Sequence, residues 1–130
     1  MAEPELASVR PKSRVVIIDD EAAFSDLLTK MIRGLGYEVM VSTDPRSSRT
    51  YELRDSDIVF IDVLMPHVSG LQVLEQLARQ NVKCAIVVMS GQGEFLDKAE
   101  KLAKKLGLLV IGVLEKPFRL DDVRDVLEGA

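Results

Sequence analysis

Three carboxylates, a hydroxyl and a lysine carry the chemistry open to this chain. The apolar run Ile58-Val59-Phe60-Ile61 ends in Asp62, which opens the segment Asp62-Val63-Leu64-Met65-Pro66. A second run, Val15-Val16-Ile17-Ile18, ends in Asp19 and Asp20. Both groups of acids therefore sit on strand tips. Carboxylates gathered in one cleft repel one another and resist desolvation unless a cation is present. A hard, all-oxygen set suits Mg²⁺, which keeps several waters and completes its shell with phosphate oxygens. Asp62 is the candidate nucleophile, since a carboxylate accepts a phosphoryl group as an acyl phosphate. The metal would offset charge on the group in transit. Lys116, ahead of Pro117, offers a point charge for a phosphoryl oxygen, and Ser90, after Ile86-Val87-Val88-Met89, offers a hydroxyl. Each has a plainer reading by itself. Asp19 and Asp20 are good helix caps, a Ser at a strand end is commonly a turn residue, and a Lys before Pro is commonly solvated. Their convergence is what argues for a site.

The elements that must bring them together follow from periodicity. Apolar runs predict strands over 14–18, 37–41, 57–61, 84–89 and 108–114. Three- and four-residue apolar spacing predicts helices over 22–35, 69–79, 94–106 and 120–127, with a weaker one over 45–53. Ser69 and Gln72 have the spacing of a capping box for the second of these. Five strand–helix units with continuously apolar strands predict an α/β domain, a doubly wound five-stranded parallel sheet covered on both faces. Ligands of such sheets bind beyond the carboxyl ends of the strands. Asp19, Asp20, Asp62, Ser90 and Lys116 all fall there.

The whole chain narrows the field further. At 130 residues it is expected to form one domain, over 13–130, behind a loose polar tail over 1–12. The net charge of −4 argues against a nucleic-acid footprint. No apolar run has the length to cross a bilayer, and the N-terminus has no apolar core of a signal peptide. The single Cys84 lies beside an apolar run and reads as a buried structural thiol, in keeping with a reducing, cytoplasmic compartment.

The set Asp19-Asp20, Asp62-Val63-Leu64-Met65-Pro66 with Gly70, Ser90-Gly91 and Lys116-Pro117-Phe118 resembles the receiver domain of bacterial two-component response regulators. The match runs from Arg14 to Leu127 in the family's order and spacing. The resemblance implies the (βα)5 flavodoxin-like fold and phosphorylation of Asp62 by a histidine kinase or phosphotransfer protein. It implies that Asp20, Asp62 and the Leu64 carbonyl hold Mg²⁺ directly, with Asp19 acting through water. Ser90 and Lys116 would contact the phosphoryl group, and Ser90 would move toward it to shift a two-state equilibrium. It also implies a cis Lys116–Pro117 peptide and a non-enzymatic phosphoacceptor, with self-phosphorylation and self-dephosphorylation at most. The stretch from Ala103 to Phe118 is similar to receivers joined to cyclic-di-GMP phosphodiesterase domains of the EAL type. The chain ends just after its last helix, as a stand-alone receiver or a piece of a longer protein would.

Several positions depart from the family's pattern. Val113 stands three residues before Lys116, where many members carry Tyr or Phe, so the aromatic half of the switch is missing. Leu64 has no group to hold or activate water, whereas Gln92 has an amide that could orient one, which predicts slow to moderate self-dephosphorylation. Arg119 replaces a small polar cap, so the last helix is expected to start less cleanly. His67 reads as a surface loop residue, not a phosphorelay histidine. Lys98, Lys101, Lys104 and Lys105 read as a solvated helix face. That helix and the last one are also candidate surfaces for a homodimer or an output partner. Two other functions compete. An aspartyl-nucleophile phosphatase of the haloacid-dehalogenase pattern needs a second acid two residues after the nucleophile, where this chain has Leu64. A receiver-like interaction module that is never phosphorylated would suit Val113 but not the complete set of acids, Ser90 and Lys116.

Overall fold

The computed structural model describes residues 13–42, 53–65 and 69–129. Among them are five strands and four helices. In chain order these are β1 (Arg14–Ile18), α1 (Ala22–Gly34), β2 (Glu38–Ser42), β3 (Ile58–Asp62), α2 (Gly70–Arg79), β4 (Ala85–Ser90), α3 (Gly93–Lys105), β5 (Leu109–Glu115) and α4 (Leu120–Glu128). The strands form one parallel sheet in the order β2-β1-β3-β4-β5. The expected doubly wound α/β architecture is thus the observed one. The helix expected over 45–53, the tail over 1–12 and His67 lie outside the described residues, apart from Leu53 at the helix's end.

Strand alternation explains why the strands are apolar throughout. Val16, Ile18, Val59, Ile61 and Val88 face one way and pack under α2 and α3, against residues such as Leu74, Leu77, Leu96 and Ala99. Val15, Ile17, Phe60, Val87 and Met89 face the other way and meet Leu28 and Ile32 of α1 and Val123 and Leu127 of α4. With helices on both faces, neither set of side chains tolerates polarity.

Strands β2 to β5 each begin and end one residue later than the apolar pattern suggests. Cys84 and Leu108 are buried ahead of their strands, so hydrophobicity starts before the ladder does. At the other end the ladder outlasts hydrophobicity, pairing Asp62 with Met89 and Ser90 with Glu115. Asp62 and Ser90 are therefore the last residues of rigid strands, not the first of loops.

Two helix starts differ from expectation. The Ser69 hydroxyl accepts from the Leu71 N–H at 3.2 Å, one residue short of the contact a capping box requires. Arg119 does not blur the start of α4. A guanidinium has no acceptor to offer, and instead the Asp122 carboxylate accepts from the Arg119 N–H at 2.8 Å. That bond and the acids Asp121 and Asp122 in the first turn give α4 a definite beginning.

At the opposite end of the sheet from the acids, Arg14 reaches the fully buried Asp57 carboxylate through two bonds, of 3.1 and 2.6 Å. The Arg54 N–H adds a third at 2.8 Å. This fork ties the start of β1 to the start of β3. Replacing Asp57 by Ala removes this fork and leaves the Arg54 N–H without its carboxylate acceptor, and urea unfolding should register a loss of about 1–3 kcal/mol. Lys101→Ala, which breaks an exposed pair with Asp97 on α3, should cost at most about 0.5 kcal/mol in the same assay.

Candidate functional site

Strands β1 and β3 are neighbours and run parallel, so their carboxyl-terminal acids must meet. Asp19, Asp20 and Asp62 each place a carboxylate oxygen within 4.8 Å of the others. Asp19 is fully buried and Asp62 nearly so, while Asp20 is half-buried. The turn out of β1 is closed by its own polar groups. One Asp19 oxygen accepts from the Glu21 N–H at 2.9 Å, and the Ser25 hydroxyl donates to the Asp19 carbonyl at 3.4 Å. The N-cap of α1 is Glu21, whose side chain makes no capping bond, so the helix-capping reading does not account for these acids.

Lys116 arrives from the end of β5. Its N–H donates to the Ser90 carbonyl at 2.8 Å, extending the β4–β5 ladder by one residue, and the Lys116–Pro117 peptide is cis as expected. The ammonium lies 2.9 Å from an Asp19 oxygen and 3.0 Å from an Asp62 oxygen, and 3.6 Å from Glu21. One cation thus links two acids from different strands. The other Asp62 oxygen accepts from the Leu64 N–H at 3.0 Å. Ser90 is fully buried, one residue beyond the ladder partner of Asp62, and its hydroxyl oxygen accepts from the Gln92 N–H at 3.0 Å. The turn role considered for Ser90 is therefore real, and its hydroxyl proton is left over for another acceptor.

Electrostatics single out Asp62. Burial pushes its carboxyl above the ordinary carboxylate range, and the charge of Asp19 pushes the same way. The Leu64 N–H and Lys116 pull it back without cancelling the shift. For Lys116, burial favours the neutral amine, but bonding and attraction from Asp19 and Asp62 outweigh that and raise its pKa. A single ammonium cannot neutralise three carboxylates, so the cluster retains negative charge that a divalent cation would offset. The donors are all oxygens and close together, which fits Mg²⁺.

The family model for the response regulator receiver domain matches residues 15–128. The chain belongs to the response regulator receiver domain family. Curated relatives include the positive alginate biosynthesis regulatory protein of Pseudomonas aeruginosa, 30% identical over 89% of this chain and 46% of that protein. The transcriptional regulatory protein TdiR of Thauera aromatica is also 30% identical, over 91% of this chain and 51% of its own. The receiver chain thus spans about half the length of these relatives. Among solved structures, a response regulator from Colwellia psychrerythraea shares 30% identity and a TM-score of 0.81, covering 90% of this chain and 94% of that one. The chemotaxis protein CheY4 of Vibrio cholerae, at 21% identity and a TM-score of 0.76 over 91% and 98% of the two chains, shares the fold.

One residue of the motif set gains its physical reason only from the structure, and one contributor to this receiver's site was not singled out by sequence. Gly70 begins α2 so close to β3 that a Cβ there would fall on the Val63 Cα and 2.6 Å from the Asp62 carbonyl oxygen. Phe24, an apolar residue within the helix expected over 22–35, holds its ring 4.0 Å beneath the Lys116 ammonium. Apolar periodicity cannot distinguish a ring that faces a core from one that faces a cation.

Gly70→Ala should force α2 away from β3, lowering stability by about 1–3 kcal/mol in urea and moving the Asp62 and Val63 amide resonances. The raised Asp62 pKa also has a sign that can be tested. A carboxyl raised in the folded state favours folding in acid, and that advantage is lost as pH rises through the folded pKa. Asp62→Asn should therefore be more stable than the parent at pH 7 without divalent metal. The gap between their urea midpoints should close as pH falls toward the ordinary value of 3.8.

Proposed function

We propose that this chain is a phosphorylation-controlled switch in which Asp62 accepts a phosphoryl group from a histidine kinase or phosphotransfer protein. The observation that carries the reading is the buried Asp19–Lys116–Asp62 cluster at adjoining strand ends, with Asp20 at its rim. A carboxylate oxygen of Asp62 attacks the phosphorus of a phosphohistidine and forms an acyl phosphate. The P–N bond breaks, and its electron pair stays on the imidazole, which takes a proton from solvent. Asp20, Asp62 and the Leu64 carbonyl would hold Mg²⁺, with Asp19 acting through water, and the ion would supply charge neutralisation at the phosphoryl oxygens. The chain's own groups do the rest. The Leu64 N–H fixes one Asp62 oxygen and so the angle of the carboxylate. Lys116 exchanges a carboxylate contact for a phosphoryl oxygen, and the spare Ser90 proton bonds another. An apolar groove of about 320 Å³, lined in part by Leu27, Met31, Pro117 and Phe118, runs from Lys116 along α1 and offers a donor protein a surface beside the reacting atoms.

In this reading residues 13–130 form the receiver unit, in the cytoplasm where such donors act, and the output lies in another segment or protein. A junction with a cyclic-di-GMP phosphodiesterase domain rests on the stretch from Ala103 to Phe118. That stretch forms the end of α3 and a β5 lengthened by a bulge, at which Val110 pairs with Ile86 and Gly112 with Val87, leaving Ile111 as the extra residue. Val113 lines an open cavity of about 300 Å³ between α3 and β5, where an aromatic switch residue would otherwise add bulk. Leu64, 40% exposed beside the site, has no proton to give or take. That disfavours a phosphatase and, with Gln92 left to orient a water, favours slow to moderate self-dephosphorylation.

Incubation with Mg²⁺ and acetyl phosphate, followed by intact-mass measurement, should give one phosphoryl adduct that is absent from Asp62→Asn. Catalytic turnover of phosphate esters would instead favour the phosphatase. No adduct from either acetyl phosphate or a phosphorylated histidine kinase would favour the unphosphorylated interaction module.

A further inference from the structure

We propose that Phe24 is a positioning residue for Lys116, its ring holding the ammonium against Asp19 and Asp62. The inference deepens the phosphoacceptor reading above and rests on it for its functional consequence. An ammonium carries three N–H donors. Asp19 and Asp62 take two, at 2.9 and 3.0 Å. Glu21, at 3.6 Å and largely exposed, is too far for a hydrogen bond but close enough to draw the ammonium outward. The Phe24 centroid lies 4.0 Å from the nitrogen. A ring face attracts a cation without being a competing hydrogen-bond acceptor, and it keeps water off that side. It therefore biases Lys116 toward the two buried acids rather than toward Glu21 and solvent.

The ring is itself held from two sides. Phe118 meets it edge to face, with centroids 5.4 Å apart and planes at 90°. Phe24 is the third residue of α1, and the next residue, Ser25, bonds the Asp19 carbonyl and lies buried in the turn. The ring is thus fixed relative to both the acid it serves and the strand that delivers Lys116. Phe118, two residues past Lys116 in the same chain segment, completes a ladder from Phe118 through Phe24 to Lys116 and Asp62.

The test uses the full chain, with acetyl phosphate as a donor too small to need the groove along α1. Phe24→Leu keeps apolar bulk but removes the ring face, and should slow adduct formation roughly three- to tenfold while the chain stays folded. Phe24→Tyr should restore the rate. Mono-, di- and trifluorophenylalanine at position 24, which keep the shape while draining electron density from the ring, should slow it stepwise. Independently of any reaction and without Mg²⁺, the Lys116 ε-methylene protons should resonate upfield in the wild-type protein and return to ordinary positions in Phe24→Leu. If the wild-type protein forms the adduct but Phe24→Leu and the fluorinated series form it equally fast, the proposal fails. An unshifted Lys116 resonance in the wild type also overturns it. Should Phe24→Leu unfold, the fluorinated series decides. If the wild type forms no adduct from either acetyl phosphate or a phosphorylated histidine kinase, the phosphoacceptor reading fails, and the resonance still decides whether the ring holds the ammonium.

Discussion

One ammonium between two carboxylates is the constraint on which the rest of this structure turns. Lys116 sits between Asp19 and Asp62, in a site where Asp19 is fully and Asp62 almost fully removed from water. Buried acids of like charge are tolerated only with compensation, and the compensation here is partial. Asp62 stays above the ordinary carboxylate range despite Lys116, mainly because burial disfavours its charge. That residual imbalance makes the cluster receptive to a divalent cation and to a group whose oxygens could engage Lys116.

The sheet makes the arrangement affordable. β1 and β3 are adjacent, which brings their terminal acids together without any help from loops. β5 lies two strands from β3, at roughly 4.8 Å per strand, so only a long side chain can span the interval. Lys116 does so from a backbone anchored to Ser90, while the Phe24 ring lies under its charged end. At the other end of β1 and β3, Arg14 and Asp57 form a second buried pair that fixes their relative position. The same two strands are thus pinned at both ends by charge and along their length by apolar packing.

Much of this was legible from residue order. The runs ending in Asp19 and Asp62 announce parallel strands because uninterrupted Val, Ile and Phe suit a sheet with two covered faces. The strand limits shifted by one residue because hydrophobic burial and backbone pairing end at different places, as Cys84 and Asp62 both illustrate. Arg119 misled for a similar reason. A poor cap in the cap position was offset by Asp122 three residues on, working from the helix side.

Sequence by itself determined the chemistry available: which acids, which hydroxyl and which cation, each at the carboxyl end of an apolar run. It did so because side-chain type and strand alternation are local properties. Only the tertiary structure decided that Lys116 touches Asp19 as well as Asp62, that Gly70 leaves no room beside the Asp62 carbonyl, and that Phe24 faces a cation. Those contacts join residues far apart in the chain. Their distances depend on strand order and helix placement, which no local pattern encodes.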